Sequence, residues 1–336
     1  MQQRRTLVRW TGGLAALSTL ALSSLALTAP AARAADAYPS KPIRLIVPFP
    51  PGGPTDLMGR TVAKILTDKL KQPVVVDNRP GAGGNLGTDA IAKAPADGYT
   101  IGMGVISSLS IAPSLGNKLP FNVATDFTPV TMVGIAKGAI VAHPSAPFSD
   151  LKGMIAYAKA NPGKLSYGSS GIGTANHLAG EYLSAVAGIQ MVHIPYKGST
   201  QLAQDLLGGQ LLLSVESSLT SAAPNVQSGK LKAIAITSAT RSALLPDVPT
   251  VAEQGFSGFD VPTWVGLIAP AQLPKDVLAT LNQAVVEGLK TKDTVDGFAR
   301  FGSEPKGTTP EQFADTIAAE NARWSKVIRD ARITAE

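Results

Sequence analysis

From Lys41 onward the chain alternates short apolar runs with segments of helical spacing, and this alternation restricts the fold more than any other feature of the 336 residues. IRLIVPF, PVVVDN, TIGMGVI, KGAIVAH, KLSYGSS, QMVHIPY, LLLSVES and LKAIAIT read as strands. TDLMGRTVAKILTDKL, NLGTDAIAKA, DLKGMIAYAKA, ANHLAGEYLSAVAG and STQLAQDLLGG read as the helices between them. Strand-then-helix repeats build parallel βα units, so an α/β fold is expected, with ligands at the carboxyl ends of the strands.

The alternation lapses twice. Near Phe127-Thr128-Pro129-Val130 the chain runs on through TMVGIAKGAIVAHPS without a helix, and near Phe259-Asp260-Val261-Pro262-Thr263-Trp264 it runs straight into VGLIAP. Two extended crossings, one out and one back, fit two lobes joined by paired hinge strands. Residues 35–137 and 261–336 would then form one lobe and 138–260 the other. The tail segments LPKDVLATLNQAVVEGL and TPEQFADTIAAENARWSKVIRDA read as helices lying back on the first lobe, with Thr309-Pro310-Glu311 as a helix start.

Ahead of this region Arg4, Arg5 and Arg9 precede the apolar stretch LAALSTLALSSLALTAP, and Ala32-Arg33-Ala34 has the small residues a signal peptidase reads. An export signal at residues 1–34, cut near Ala34, is therefore expected, and with it a periplasmic location. The paired arginines also suit a twin-arginine signal, so the export route stays open. Loss of Arg4, Arg5, Arg9 and Arg33 with the leader lowers the formal charge from +6 to +2. A nearly neutral mature chain gives no reason to expect a nucleic-acid partner. With no cysteine, disulfides, thiolate metal sites and a cysteine nucleophile are excluded.

FPPGGPTD, from Phe49 to Asp56, lies between the first apolar run and the first helical segment. A strand that breaks into a glycine-rich turn and then a helix aims backbone N–H groups at one spot, which suits an anion. A plain turn capped by Thr55 or Asp56 would use the same residues. The pattern recurs in LSYGSSGIGTANH, from Leu165 to His177. No phosphate-loop lysine motif occurs, and both GAGGNLG and GMGVIS miss the dinucleotide fingerprint at its last glycine, so no cofactor is expected. In GAGGNLGTD a capping role is expected for Asn85 or Thr88.

Ser169 and Ser170 sit on a strand-to-helix turn, yet neither has glycine both two places before and two places after it, as a nucleophile elbow needs. The three histidines, His143, His177 and His193, are scattered and make a poor metal site. Tyr196-Lys197-Gly198-Ser199 ends another strand at the same rim, where the Tyr196 ring and hydroxyl could face a ligand. Glu216, closing LLLSVES, would either recognise a ligand donor or hold Lys197.

YPSKPIRLIVPFPPGGPTD, NRPGAGGNLGTDAIAKAPADGYTI, SYGSSGIGTANH, IPYKGS, GKLKAIAIT and LPDVPTVAEQGF, in that order, resemble the Bug family of extracytoplasmic solute receptors, the binding-protein class of tripartite tricarboxylate transporters. The resemblance covers essentially the whole mature chain. It implies a type II periplasmic binding protein with two α/β lobes, a two-strand hinge and closure over one small ligand. Di- and tricarboxylates, aromatic acids and amino acids all fit such a receptor. It also implies delivery to a membrane permease, no catalytic activity, and a monomer. Position by position it puts a first-lobe grip at Phe49, Gly52, Gly53, Thr55 and Asp56. The second-lobe grip falls at Ser169, Ser170, Gly171, Thr174 and His177, with Tyr196, Lys197 and Gly198 at the rim. Many relatives have Asp near Glu216, which leaves the ligand open. The rival readings are an exported serine hydrolase using Ser169 or Ser170, and a ligand sensor for a signalling kinase.

Overall fold

The computed structural model describes residues 38–116 and 118–334, so the expected leader at residues 1–34 lies outside the described residues. The first βα units are β1 (Ile43–Val47), α1 (Pro54–Leu70), β2 (Val74–Asn78), α2 (Asn85–Ala92) and β3 (Thr100–Val105). β1 and β3 are buried along almost their whole length, as unbroken apolar runs should be when helices cover both faces of a parallel sheet. A short helical stretch from Ser107 through α3 (Ala112–Ser114) follows. β4 (Phe127–Ala136) then leads out to β5 (Ala139–Ala142). The second set is α4 (Leu151–Ala160), β6 (Leu165–Ser169), α5 (Ala175–Ala187), β7 (Met191–Pro195), α6 (Ser199–Leu207), β8 (Leu213–Glu216), α7 (Leu219–Gln227) and β9 (Lys232–Ile236). β10 (Thr263–Pro270) returns, followed by α8 (Lys275–Leu289), α9 (Lys292–Arg300), β11 (Ser303–Pro305) and α10 (Pro310–Asp330).

These strands form two sheets of the same plan, ordered β2-β1-β3-β10-β4-β11 and β7-β6-β8-β5-β9. In each, the fourth strand is antiparallel to its neighbours and is the one that has just crossed from the other sheet. The remaining βα strands of a sheet therefore run the same way, so their carboxyl ends and the helix starts that follow gather at one edge.

The two crossings lie side by side. The first is only Lys137-Gly138 long, and the Gly138 carbonyl accepts from Thr237 N–H of the second at 3.0 Å. Beyond it Thr263 pairs with Ala136. A Cβ on Gly138 would lie 2.4 Å from the Glu216 carbonyl oxygen, so only glycine fits the bend. The tail returns to the first lobe: α8 lies on α1 and β4, and α10 on β4 and the stretch after β3. Gly266 of β10 lets this happen, since a Cβ there would stand 2.1 Å from the Phe313 ring of α10. The lobes also touch beside the hinge, where Thr220 Oγ1 donates to the Phe301 carbonyl at 3.2 Å. Residues from Pro39 on form one compact unit.

All eight expected strands and all seven expected helices are present. Three further segments gain detail from the structure. The texture change at Phe127 is a ten-residue strand, whose Pro129 is tolerated because the β10 register shifts beside it, between Leu267 and Ile268. α7 holds Pro224 inside a Ser/Ala-rich run, which hides its helical character. α9 is nine residues long and forms against the rest of the tail.

Candidate functional site

Among the helices that begin at the edges where the two sheets face each other, α7 is capped by the Ser218 side chain, whereas α1, α5 and α6 have no side-chain cap. α1 starts after Gly53, α5 after Thr174 and α6 after Gly198, and no side-chain oxygen satisfies their first amides. Elsewhere α4 is capped by Asp150 and α10 by a Thr309–Gln312 capping box, while α8 and α9 also start without a side-chain cap. Uncapped helix starts leave backbone donors and the positive end of the helix dipole free.

All three open on one cavity. Its wall includes Phe49, Gly53 and Thr55 from the turn before α1, Ser170, Thr174 and Asn176 around the start of α5, and Ser199 and Thr200 of α6. Ser107, Ser217 and Thr263 add hydroxyls, while Met58, Val105 and Val265 supply the apolar part. No Lys, Arg, His, Asp or Glu is among the wall residues. About 40 Å³ is open to water centres, room for about three waters at roughly 10–15 Å³ each. An outer chamber shares Phe49 and Ser170 with it and continues to Gly81–Gly84, Gly171, Tyr196 and Lys197.

Several expected site residues stand behind this wall and hold it in shape. Asp56 is 1% exposed, and its carboxylate accepts from Gly52 N–H at 2.9 Å, Arg60 Nε at 2.8 Å and Asn78 Nδ2 at 2.8 Å. Burial alone would raise its pKa, but the bonds from Arg60, Gly52 and Asn78 outweigh burial and keep it below the ordinary value. Neither Asp56 nor Thr55 caps α1; Asp56 instead reaches back to fix the Gly52 turn, which has φ +84°. Gly52 thus spends its amide on the protein. Thr88 likewise caps nothing, since its hydroxyl donates to the Gly84 carbonyl, and Asn85 is itself the first residue of α2.

In the second lobe Ser169 is fully buried, with Oγ 2.6 Å from His193 Nε2 and accepting from Gly171 N–H at 3.1 Å. His177 Nδ1 accepts from Gly173 N–H at 3.2 Å, and its ring lies against His193 with centroids 4.1 Å apart. Burial drives His177 down to about 3, helped by the neighbouring His193, and drives His193 to about 4. Both rings are neutral braces for the Ser169–Thr174 turn and lie outside the cavity wall. Glu216 is also behind the wall: Ser214 Oγ donates to it at 2.6 Å, so the expected hold on Lys197 is replaced by this bond. Burial pushes Glu216 up to about 7 despite the Ser214 bond. Burial and a bond to Asp205 push Tyr196 up to about 12, so its hydroxyl is engaged with α6 rather than offered to the rim. Lys197 and Gly198 share a shallow recess with Pro50 and Thr200.

The tripartite tricarboxylate transporter family receptor pattern matches residues 58–333. The chain belongs to that receptor family. The receptor is 41% identical to protein BugT of Bordetella pertussis over 297 residues, 88% of this chain and 91% of BugT. It matches the solved periplasmic binding protein BugD at 34% identity and TM-score 0.84, covering 89% of this chain and 100% of BugD. An R. palustris protein solved with adipate matches at 32% identity and TM-score 0.85, covering 88% and 99%. MatC from Rhodopseudomonas palustris, solved with bound malate, matches at 30% and 0.82, covering 87% and 100%. The expected family and the two-lobed periplasmic-binding-protein fold are both borne out. No helix among the described residues is long and apolar enough to cross a membrane.

Sequence reasoning quoted Ser107, Asn176 and Ser199 inside its motifs without giving them a ligand role, and did not single out Thr200, Ser217 and Thr263 of the receptor's cavity. Each lies just beyond the carboxyl end of a βα strand, in the first turn of a helix, or at the start of β10. The rule that ligands sit at carboxyl ends of strands could have found most of them without any motif.

Proposed function

We propose that the receptor captures a small carboxylate between its lobes in the periplasm and delivers it to the membrane permease of a tripartite tricarboxylate-type transporter. The observation that carries this is the meeting of three uncapped helix starts on one cavity whose wall bears no charged side chain. Such a cavity offers an anion several fixed amide donors. Micromolar binding needs about −8.2 kcal/mol, and hydrogen bonds to a charged group contribute roughly 1.5–3 kcal/mol each. Four or five donors meet that requirement after the cost of association. Two relatives of the same fold, solved with adipate and with malate, bind carboxylates.

In this reading Phe49, Gly53, Thr55, Ser170 and Thr174 touch ligand, Gly171, Tyr196 and Lys197 border the outer chamber, and Gly52, Asp56, Ser169, His177 and Glu216 hold the frame. The lobes are residues 35–137 with 261–336, and 138–260, supported by which strands share a sheet. The mature chain begins after Ala34 and acts as a monomer. Catalysis has no place in it: Ser169 and His193 are bonded to each other but buried behind the wall, and Ser170 is bonded to Asn176.

Unfolding and refolding the purified receptor removes carried ligand, after which its unfolding midpoint is measured with mono-, di- and tricarboxylates, aromatic acids and amino acids. A ligand at a hundred times its Kd adds about 2.7 kcal/mol, which at about 2.1 cal/mol/K per residue moves the midpoint of a chain of about 300 residues by about 4 °C. No shift with any carboxylate would overturn the proposal.

A further inference from the structure

We propose that the receptor selects a hydroxycarboxylate, a ligand with a hydroxyl group close to its carboxylate, because three hydroxyls in the cavity wall have only lone pairs to offer. The proposal rests on the reading of the cavity as a carboxylate site and narrows its ligand class.

The protons of these hydroxyls can be assigned by elimination. Asn176 Nδ2 can only donate, and it donates to the Val215 carbonyl at 2.8 Å. Asn176 Oδ1 is therefore the atom facing Ser170 Oγ at 2.9 Å, and Ser170 must give it the proton. Thr174 Oγ1 lies 2.5 Å from the Gly171 carbonyl and Ser107 Oγ lies 3.0 Å from the Gly83 carbonyl. A carbonyl only accepts, so both hydroxyls donate. Ser107, Ser170 and Thr174 are 4%, 7% and 3% exposed, and all three line the cavity. Each has a single proton, already committed to the protein.

The wall is thus divided. Amides at the starts of α1, α5 and α6 supply donors, whereas Ser107 from the first lobe and Ser170 and Thr174 from the second supply acceptors. A carboxylate oxygen suits the first group and is repelled by the second. The ligand must bring its own donor to the acceptors, and a buried acceptor left without one weakens binding. A hydroxyl and an ammonium could both donate. The wall has no carboxylate to balance an ammonium, whereas a neutral hydroxyl needs no counter-charge.

The test compares Kd values on the purified receptor for pairs that differ by one group: succinate with malate, glutarate with 2-hydroxyglutarate, and butyrate with 3-hydroxybutyrate. Aspartate and glutamate serve as the amino arms. In at least one pair the hydroxylated member is expected to bind about tenfold tighter or more, and Ser170→Ala is expected to move that ratio toward one. Equal binding of both members in every pair would show water serving the acceptors, and would overturn this inference while leaving the carboxylate reading intact. Tighter binding of the amino member would overturn the hydroxyl assignment. Failure of every compound to bind would overturn the carboxylate reading along with it. The pairs are compared on the unmodified protein, so the test stands even if the variant fails to fold.

Discussion

Replacing Glu216 by Gln should remove one contribution to the receptor's stability, the one that is lost as pH rises from about 4.5 to about 7. The Glu216 carboxyl is 3% exposed and is hydrogen-bonded by Ser214. Burial carries its pKa to about 7 from an ordinary 4.5. A pKa higher in the folded state means the folded protein binds the proton more tightly than the unfolded chain. The contribution to stability is then complete below pH 4.5 and is lost as pH rises through 7, where a buried carboxylate must ionise. With about 1.36 kcal/mol per unit, the loss is about 3 kcal/mol. Gln keeps the carbonyl oxygen that accepts from Ser214 and has no proton to lose. Urea unfolding of both proteins at pH 5, 6, 7 and 8 reads the effect as the difference of their free energies. His177 and His193 contribute equally to both proteins and cancel. The expected difference shifts by about 3 kcal/mol in favour of Gln across the range, most steeply between pH 5 and 7. Parallel curves would refute the argument, because they would mean that Glu216 is hydrated or paired in solution.

The histidine pair should act in the opposite direction. Both are held below the ordinary 6.5, at about 3 and about 4, so the unfolded chain takes up protons first and stability is lost as pH falls below 6.5. Each contributes a slope of up to about 1.4 kcal/mol per pH unit; thermal midpoints from pH 7 to 4 should fall, and should fall less in His177→Phe. Gly83→Ala should weaken ligand binding by about tenfold or more, since a Cβ there would lie 2.5 Å from the Ile172 carbonyl across the cleft, at a φ of +64°. Titration gives the affinity, and small-angle scattering should show a more open average shape with ligand present; an unchanged Kd would show that this seam does not close.

The fold was legible because its apolar runs are long and its turns rich in glycine. Even the hinge showed, as two places where strand and helix ceased to alternate. What stayed hidden was whatever depends on packing across distance. α7 is interrupted by Pro224, and β4 contains Pro129 opposite a bulge that only β10 reveals. The site was half legible for a related reason. Motifs located the turns Phe49–Asp56 and Ser169–Thr174, but a motif does not say which of its members faces inward. Asp56, Ser169 and His177 belong to those turns as braces, and their partners Asn78 and His193 lie 22 and 24 residues away. Ser199, Thr200 and Ser217 face the cavity from unremarkable sequence, placed there by the ends of their strands.

A wall of neutral donors also explains how an anion can be held and still released. An Arg or Lys in the cleft would be hydrated when the lobes are apart and would lose that hydration on closure, a penalty of several kcal/mol that the ligand's charge would have to offset. Amides at a helix start are fixed by the helix itself, so presenting them costs little at the moment of binding, and the dipole supplies only about half a charge. Closure therefore depends on hydrogen-bond geometry contributed by both lobes: α1 from one, α5 and α6 from the other. Separating the lobes divides the donor set and weakens every bond at once, with no salt bridge left to hold the ligand on either side. That is the property a receptor needs if it must hand its ligand to a partner rather than keep it.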